Sequence, residues 1–278
     1  EVGPILKERL FDSMTAIATC SATMTVNGQF DPYFNRVGID KNNPPLPLHT
    51  EVFPSPFNYQ RQALLGLPRD IPPPDDPSFP EVASRFVIDA LKVSGGGAFV
   101  LCTSFRLLKE LHARTAHALG GKFRLFRQGE MGRSQLLERF RNDPDSVLFG
   151  TDSFWEGVSV RGDSLRLVII PRLPFRVPTE PILQARHELI AARGEDPFRV
   201  YSLPQAVLRF RQGFGRLIRT GSDRGAVLVL DTRISRRWYG RIFLNSLPKM
   251  ERINAPGRAV LQRLSQFYTP SDPNIQEP

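Results

Sequence analysis

Arg209, Gln212, Arg216 and Arg219 are spaced 3, 4 and 3 residues apart within the stretch Gln205 to Asp231. Wound at about 100° per residue, they gather on one side of a helix. Val207, Phe210, Phe214, Leu217 and Ile218 gather on the other side. The spacing predicts an amphipathic helix anchored by its apolar stripe and presenting three guanidinium groups with one amide. Arginine's fork of donors matches phosphate oxygens bidentately and keeps its charge at any relevant pH, so the chemistry on offer is phosphate recognition. A merely solvated basic face is the alternative. Against it stand Gly213 and Gly215. Each costs about 1 kcal/mol in a helix interior relative to alanine, and together they predict close approach of another backbone or of a ligand.

The composition agrees with a phosphate-bearing partner. The chain carries a formal charge of +9 with pI ≈ 10.1, and residues 205–241 hold nine arginines against Asp223 and Asp231. Such a patch attracts a nucleotide or a nucleic-acid backbone. The rival is a membrane surface, but no apolar run approaches the roughly 20 residues of a membrane-spanning helix and no signal-peptide pattern opens the chain, which predicts a cytoplasmic protein without membrane partners. Cys20 in AIATCSA and Cys102 in FVLCTS read as buried, inert thiols. Four scattered histidines and no C-x-x-C spacing predict no metal site. A first residue of Glu1 gives the chain the look of an excised fragment.

To position the arginine stripe the chain needs a scaffold, and its pattern predicts one. A short helix at 4–11 and a buried strand at Ala16–Cys20 open the chain. Residues 44–80 hold eleven of the 25 prolines. That density disfavours helix and interior strand, and predicts an extended linker or arm in which Phe57 and Tyr59 pack. From Glu81 helices and strands alternate. A helix at 81–93 precedes the turn Gly95-Gly96-Gly97 and a strand at Ala98–Cys102. A helix capped by Thr103 or Ser104 runs to Leu119, followed by a strand at Phe123–Phe126, a helix at 133–141 and a strand at Ser146–Phe149. Further strands fall at Leu165–Ile170 and Ala226–Leu230. The expected fold class is α/β, a buried parallel sheet of RecA-like, P-loop NTPase type flanked by helices. Ligands of such sheets bind beyond the carboxyl ends of the strands. There Thr103, Ser104, Thr151 and Ser153 offer hydroxyls and amides suited either to gripping a sugar-phosphate backbone or to capping helices.

Several segments together carry a family resemblance. QGFGRLIR followed by DRGAVLVLDTR resembles motif VI of superfamily 2 helicases, in the DinG branch of the DinG/XPD family. GTDSFWEGVSVRGDSLRLVII resembles motif V, CTSF motif IV and Ser21-Ala22-Thr23 motif III, while SPFNYQ and IIPRLPFRVPTEP are also similar to that branch. The resemblance runs from about Thr15 to Arg241. It implies the second motor domain of an ATP-dependent DNA helicase moving 5′ to 3′, organised as 1–43, the tail of a first motor domain; 44–80, the proline-rich linker; and 81–278, the RecA-like domain.

By this resemblance Arg216 and Arg219 would be arginine fingers, Gln212 would position the attacking water or the γ-phosphate, and Gly157 and Gly215 would line the nucleotide. Thr103, Ser104, Thr151 and Ser153 would contact single-stranded or forked DNA, and Trp155 would stack on a base or else pack in the core. Ser21, Thr23 and Glu156 would couple the two sites. Ser159 stands where the family pattern has an aspartate, which leaves no carboxylate there. The sequence has no G-x-x-x-x-G-K-[ST] loop and no D-E-x-H. ATP, its Mg²⁺ and, as in many members, an iron-sulfur cluster would therefore depend on a first motor domain outside this chain. Two other readings fit the α/β order. One is a single-strand-binding module without hydrolysis; the other is a kinase or nucleotide-metabolising enzyme with a RecA-like core, which leaves the motif V segment unexplained.

Overall fold

The computed structural model describes residues 2–21, 24–26, 28–151, 154, 164–176 and 180–269. Seven strands form one sheet in the spatial order β3-β4-β2-β5-β6-β1-β7, and every neighbouring pair is parallel. The strands are β1 (Ala63–Pro68), β2 (Ala98–Leu101), β3 (Leu125–Arg127), β4 (Val147–Gly150), β5 (Leu167–Ile170), β6 (Gly225–Val229) and β7 (Glu251–Ala255). AFVL, VLFG, LVII and GAVLV are buried throughout, as parallel strands covered on both faces must be.

The helices divide between the two faces. In chain order they are α1 (Gly3–Leu6), α2 (Asp31–Val37), α3 (Tyr59–Gln62), α4 (Phe79–Ser94), α5 (Phe105–Leu119), α6 (Arg133–Arg141), α7 (Pro181–Ala192), α8 (Leu203–Phe214), α9 (Arg233–Arg236), α10 (Gly240–Asn245) and α11 (Gly257–Tyr268). Leucines and phenylalanines of α4, α5 and α11 pack one face of the sheet, and those of α6, α8 and α10 pack the other. The turn from α4 into β2 uses three glycines with positive φ. A Cβ on Gly96 would lie 2.0 Å from the Asp145 carbonyl oxygen, so only glycine closes it.

The fold class is the expected RecA-like α/β, with three local corrections. First, β1 lies inside the stretch expected to be a linker, and it is an interior strand between β6 and β7. Prolines crowd both ends of 44–80, but residues 57–67 have none, and Pro68 takes the last strand position, where the ladder ends. Second, residues 16–20 form no strand, and Cys20 is exposed where burial was expected. A short apolar run becomes a strand only beside another strand, and the described residues offer it none. Third, α8 stops at Phe214. Gly215 follows as its cap, and Arg216 N and Leu217 N bond three residues back, to Gly213 O and Phe214 O. Leu217 and Ile218 are nonetheless buried. The apolar period continues past the helix because a turn also buries them.

Candidate nucleotide and nucleic-acid interface

Because all seven strands run one way, the sheet has an amino end and a carboxyl end, and the expected site residues divide between them. The turn 215–224 precedes β6, so Arg216 and Arg219 lie at the amino end. Thr103, Ser104 and Thr151 follow β2 and β4, at the carboxyl end. Strands of four or five residues rising about 3.3 Å each put roughly 15 Å between the two groups.

At the amino end the turn is held from two sides. Asp223 accepts from Arg219 N at 2.7 Å, Thr220 N at 2.9 Å and Thr220 Oγ1 at 2.7 Å. From the start of the adjacent strand, Gln62 donates through Nε2 to the carbonyls of Thr220, Gly221 and Asp223 at 3.0, 3.1 and 2.8 Å. Gln62 is buried and sits immediately before β1, the strand paired with β6. Tyr59, one helical turn earlier, packs its ring 5.7 Å from that of Phe214 and 6.1 Å from that of Phe57, the packing role expected of both. SPFNYQ thus buttresses the arginine turn. Gln62 was missed in the sequence; its signal is a lone amide opening an apolar strand.

Arg216 and Arg219 are half-buried with their Nε atoms shielded from solvent. Gln212, two residues before the end of α8, has a buried Oε1 without a hydrogen-bond partner among the described residues. A buried acceptor left over in this way is uncommon in folded proteins and marks a place where a donor is due. Since α8 ends at Phe214, Arg216 and Arg219 do not share a helix face with Arg209 and Gln212, as the spacing predicted. Gly215 is exposed and takes the cap position at the end of the helix.

At the carboxyl end Ser104 caps α5, accepting from Leu107 N at 3.3 Å. Beside it Phe105 stands 49% exposed. Thr151 is buried, and both its amide and its Oγ1 donate to Gln128 Oε1, at 2.6 and 2.9 Å. The Thr151 hydroxyl therefore locks the loop after β4 to the loop after β3. After Gly150 the chain turns so tightly that a Cβ there would meet the Phe154 ring at 2.8 Å. Thr23, Ser153, Trp155, Glu156, Gly157 and Ser159 lie outside the described residues, and Ser21 is exposed.

A further cluster at this end escaped the sequence reading. Asp231, fully buried after β6, accepts from Leu173 N at 2.8 Å and forms a bidentate pair with Arg233 at 2.9 and 2.6 Å. Burial opposes the Arg233 charge, but the hydrogen bonds and charge of Asp231 outweigh it and raise the guanidinium's pKa above its ordinary value. Arg172 donates to Pro74 O and lies 5.1 Å from the Phe79 ring centroid. Burial lowers its pKa, and nearby Asp231 partly offsets that. The LDTR and PRLPF segments are thereby fastened together. Among the described residues no cluster of His, Cys, Asp and Glu could hold a metal ion, and no helix is long and apolar enough to cross a membrane.

Residues 87–250 match the helicase C-terminal domain family. The chain is 41% identical over 234 residues to the ATP-dependent DNA helicase YoaA of Haemophilus influenzae, a match covering 84% of the chain and 35% of that protein. It is 37% identical over 254 residues to the 3′-5′ exonuclease DinG of Bacillus subtilis, covering 89% of the chain and 27% of the relative. To the ATP-dependent helicase DinG of Mycobacterium tuberculosis it is 35% identical over 268 residues, covering 95% and 40%. The chain thus spans well under half the length of these relatives. A solved XPD helicase shares the fold at TM-score 0.53 and 13% identity, over 69% of this chain and 36% of that one.

Proposed function

From the premise that the chain belongs to the helicase C-terminal domain family, and within superfamily 2 to its DinG type, we propose that it is the second motor domain of an ATP-dependent DNA helicase. In this reading ATP is held in a cleft between the arginine turn and a first motor domain. Arg216 and Arg219 face its phosphates, and Gln212 orients the attacking water or the γ-phosphate. The observation that carries the proposal is the clamped turn 215–224, which keeps two arginines at one end of the sheet, next to the end of α8 where Gln212 has a buried Oε1 without a partner among the described residues. Guanidinium groups fixed before the substrate arrives can stabilise transferring phosphate without reorganising during the reaction.

Among the described residues no cluster of His, Cys, Asp and Glu could hold a magnesium ion, and in this reading its ligands lie mostly in the first motor domain. An iron-sulfur cluster, where the resemblance implies one, would likewise be held by the part of the protein outside this chain. The loops of Thr103, Ser104 and Thr151, with Ser153 and Trp155 beyond the described residues, hold single-stranded or forked DNA at the opposite end of the sheet. Closure of the cleft on ATP and its release after hydrolysis would move this domain as a body against the strand, in the 5′-to-3′ direction of the resemblance. The names of its relatives, two of the three being ATP-dependent helicases, support this over the reading as a binding module without hydrolysis.

The test is DNA-stimulated ATP hydrolysis by the full-length protein carrying Arg216→Ala. Arginine fingers are worth roughly 10³ to 10⁵ in rate. A loss of that order with single-strand affinity retained supports the assignment. Near-normal hydrolysis would overturn it, leaving the turn to DNA or to packing.

A further inference from the structure

Trp238 is 54% exposed, although every aromatic near it is packed. Phe175, Phe198, Tyr239 and Phe243 form a continuous aromatic cluster, with Phe175 and Phe198 stacked at 5.6 Å and the other pairs edge-to-face, Phe198 and Tyr239 at 5.5 Å. Trp238 is the outermost ring, 5.6 Å from Tyr239 and 6.4 Å from Phe198. The Arg199 guanidinium lies 5.0 Å from its centroid and also pairs with Asp196 at 3.4 Å. The cluster therefore holds a large apolar surface out in water in a fixed pose.

The chain around it is basic. Residues 232–250 contain no acidic side chain and five basic ones. Arg233 pairs with Asp231, but Arg236, Arg237 and Arg241 are exposed, and Arg236 donates to the Arg69 carbonyl at 3.1 Å. This segment directly follows β6, so it stands at the carboxyl end of the sheet, the end that also carries Thr103 and Thr151. β6 lies two strands from β2, about 10 Å at the usual interstrand spacing. A rigid exposed indole among arginines, with no acidic counter-charge in the segment, complements a polyanion that also offers ring faces.

We propose that Trp238 is a base-stacking platform for single-stranded nucleic acid, with Arg236, Arg237 and Arg241 on the adjoining phosphates, extending the track set by the Thr103 and Thr151 loops. This rests on the nucleic-acid-binding part of the function proposed above. Contacts of this kind grip any base, because every base has a ring face, and depend on salt through the phosphates alone.

The experiment titrates labelled oligo(dT) with the chain and its variants, following anisotropy at several salt concentrations. One stacked base is worth about 1 to 3 kcal/mol, so Trp238→Ala is expected to weaken binding roughly five- to hundredfold. Its salt slope should not change, and Trp238→Phe should recover most of the loss. Arg237→Ala should lower the slope by about one. In a Trp155→Phe background, where Trp238 is the sole tryptophan, oligo(dT) should quench its fluorescence. Binding within twofold of the parent for Trp238→Ala, with no quenching, would overturn this proposal while leaving the DNA-binding reading intact. If Trp238→Ala then destabilised the full-length protein but not this chain, the face would belong to a protein contact. A chain that binds no oligo(dT) at all would overturn both readings.

Discussion

Removing the Gln62 amide tests whether the arginine turn is held in place or merely follows the end of a helix. Its Nε2 has two protons and three carbonyl acceptors within 3.1 Å. Two hydrogen bonds at a net of about 0.5 to 1.5 kcal/mol each give roughly 1 to 3 kcal/mol. Thr220 and Gly221 are exposed, so their carbonyls recover water in the variant, and the lower part of that range, about 1 to 2 kcal/mol, applies to Gln62→Ala. At about 2 to 4 °C per kcal/mol the melting temperature should fall by roughly 2 to 8 °C. Gln62→Glu should be worse at neutral pH, because a carboxylate would face three carbonyl oxygens. Folding would raise the pKa of that carboxyl group, so the variant should regain stability as pH falls and lose it as pH rises through the folded-state value. In the full-length protein a loosened turn misplaces Arg216 and Arg219. A displacement of about 1 Å can cost on the order of 100-fold in rate, so ATP hydrolysis should drop at least tenfold while oligo(dT) affinity stays within twofold. Unchanged melting and hydrolysis would refute the clamp. An equal loss of DNA binding would refute the separation of the two ends.

Asp231→Asn should cost about 2 to 4 kcal/mol in urea unfolding, since it leaves Arg233 and Arg172 without their buried counter-charge. The lower end reflects an Arg233 side chain that is still 33% exposed. An unshifted midpoint would show that the LDTR and PRLPF loops do not depend on this carboxylate. His112, whose ring meets Phe149 edge-on at 5.3 Å, has its pKa lowered chiefly by burial from the ordinary 6.5. The folded state thus favours the neutral ring. Its contribution to stability is present above pH 6.5 and declines below it, as the unfolded chain takes up the proton first. Melting temperature should therefore fall less steeply between pH 7 and 5 in His112→Leu than in the parent, and identical slopes would count against this.

What was legible in the sequence is what local pattern encodes. The helix Arg133–Arg141 falls where expected, and the strands from β2 to β6 fall within two residues of their expected positions, because aliphatic runs between glycine and proline turns report burial directly. The end of α8 was not legible for a related reason. Apolar period reports which side chains are buried, and Leu217 and Ile218 are buried; it does not report that their amides have left the helical ladder. Gly213 and Gly215 read as close approach of another backbone or of a ligand; Gly215 takes the cap position where the helix ends. Proline density similarly hid β1, since an average over 44–80 blurs the proline-free stretch 57–67.

The contacts that hold the candidate site escaped the sequence for a different reason. Gln62 reaches carbonyls 158 to 161 residues away, Thr151 reaches Gln128 across 23, and Asp231 reaches the Leu173 amide across 58. Each is a polar side chain fixed by strands that become neighbours only once the sheet has formed. The motifs named the segments, but sheet order decides which end each occupies and which side chain braces it. A parallel sheet gives a residue just before a strand and one just after it different neighbours and different partners. That is why an arginine turn and a set of hydroxyl loops, close in their resemblance to one family, stand about 15 Å apart. It is also why a variant at Gln62 and a variant at Trp238 should separate hydrolysis from strand binding.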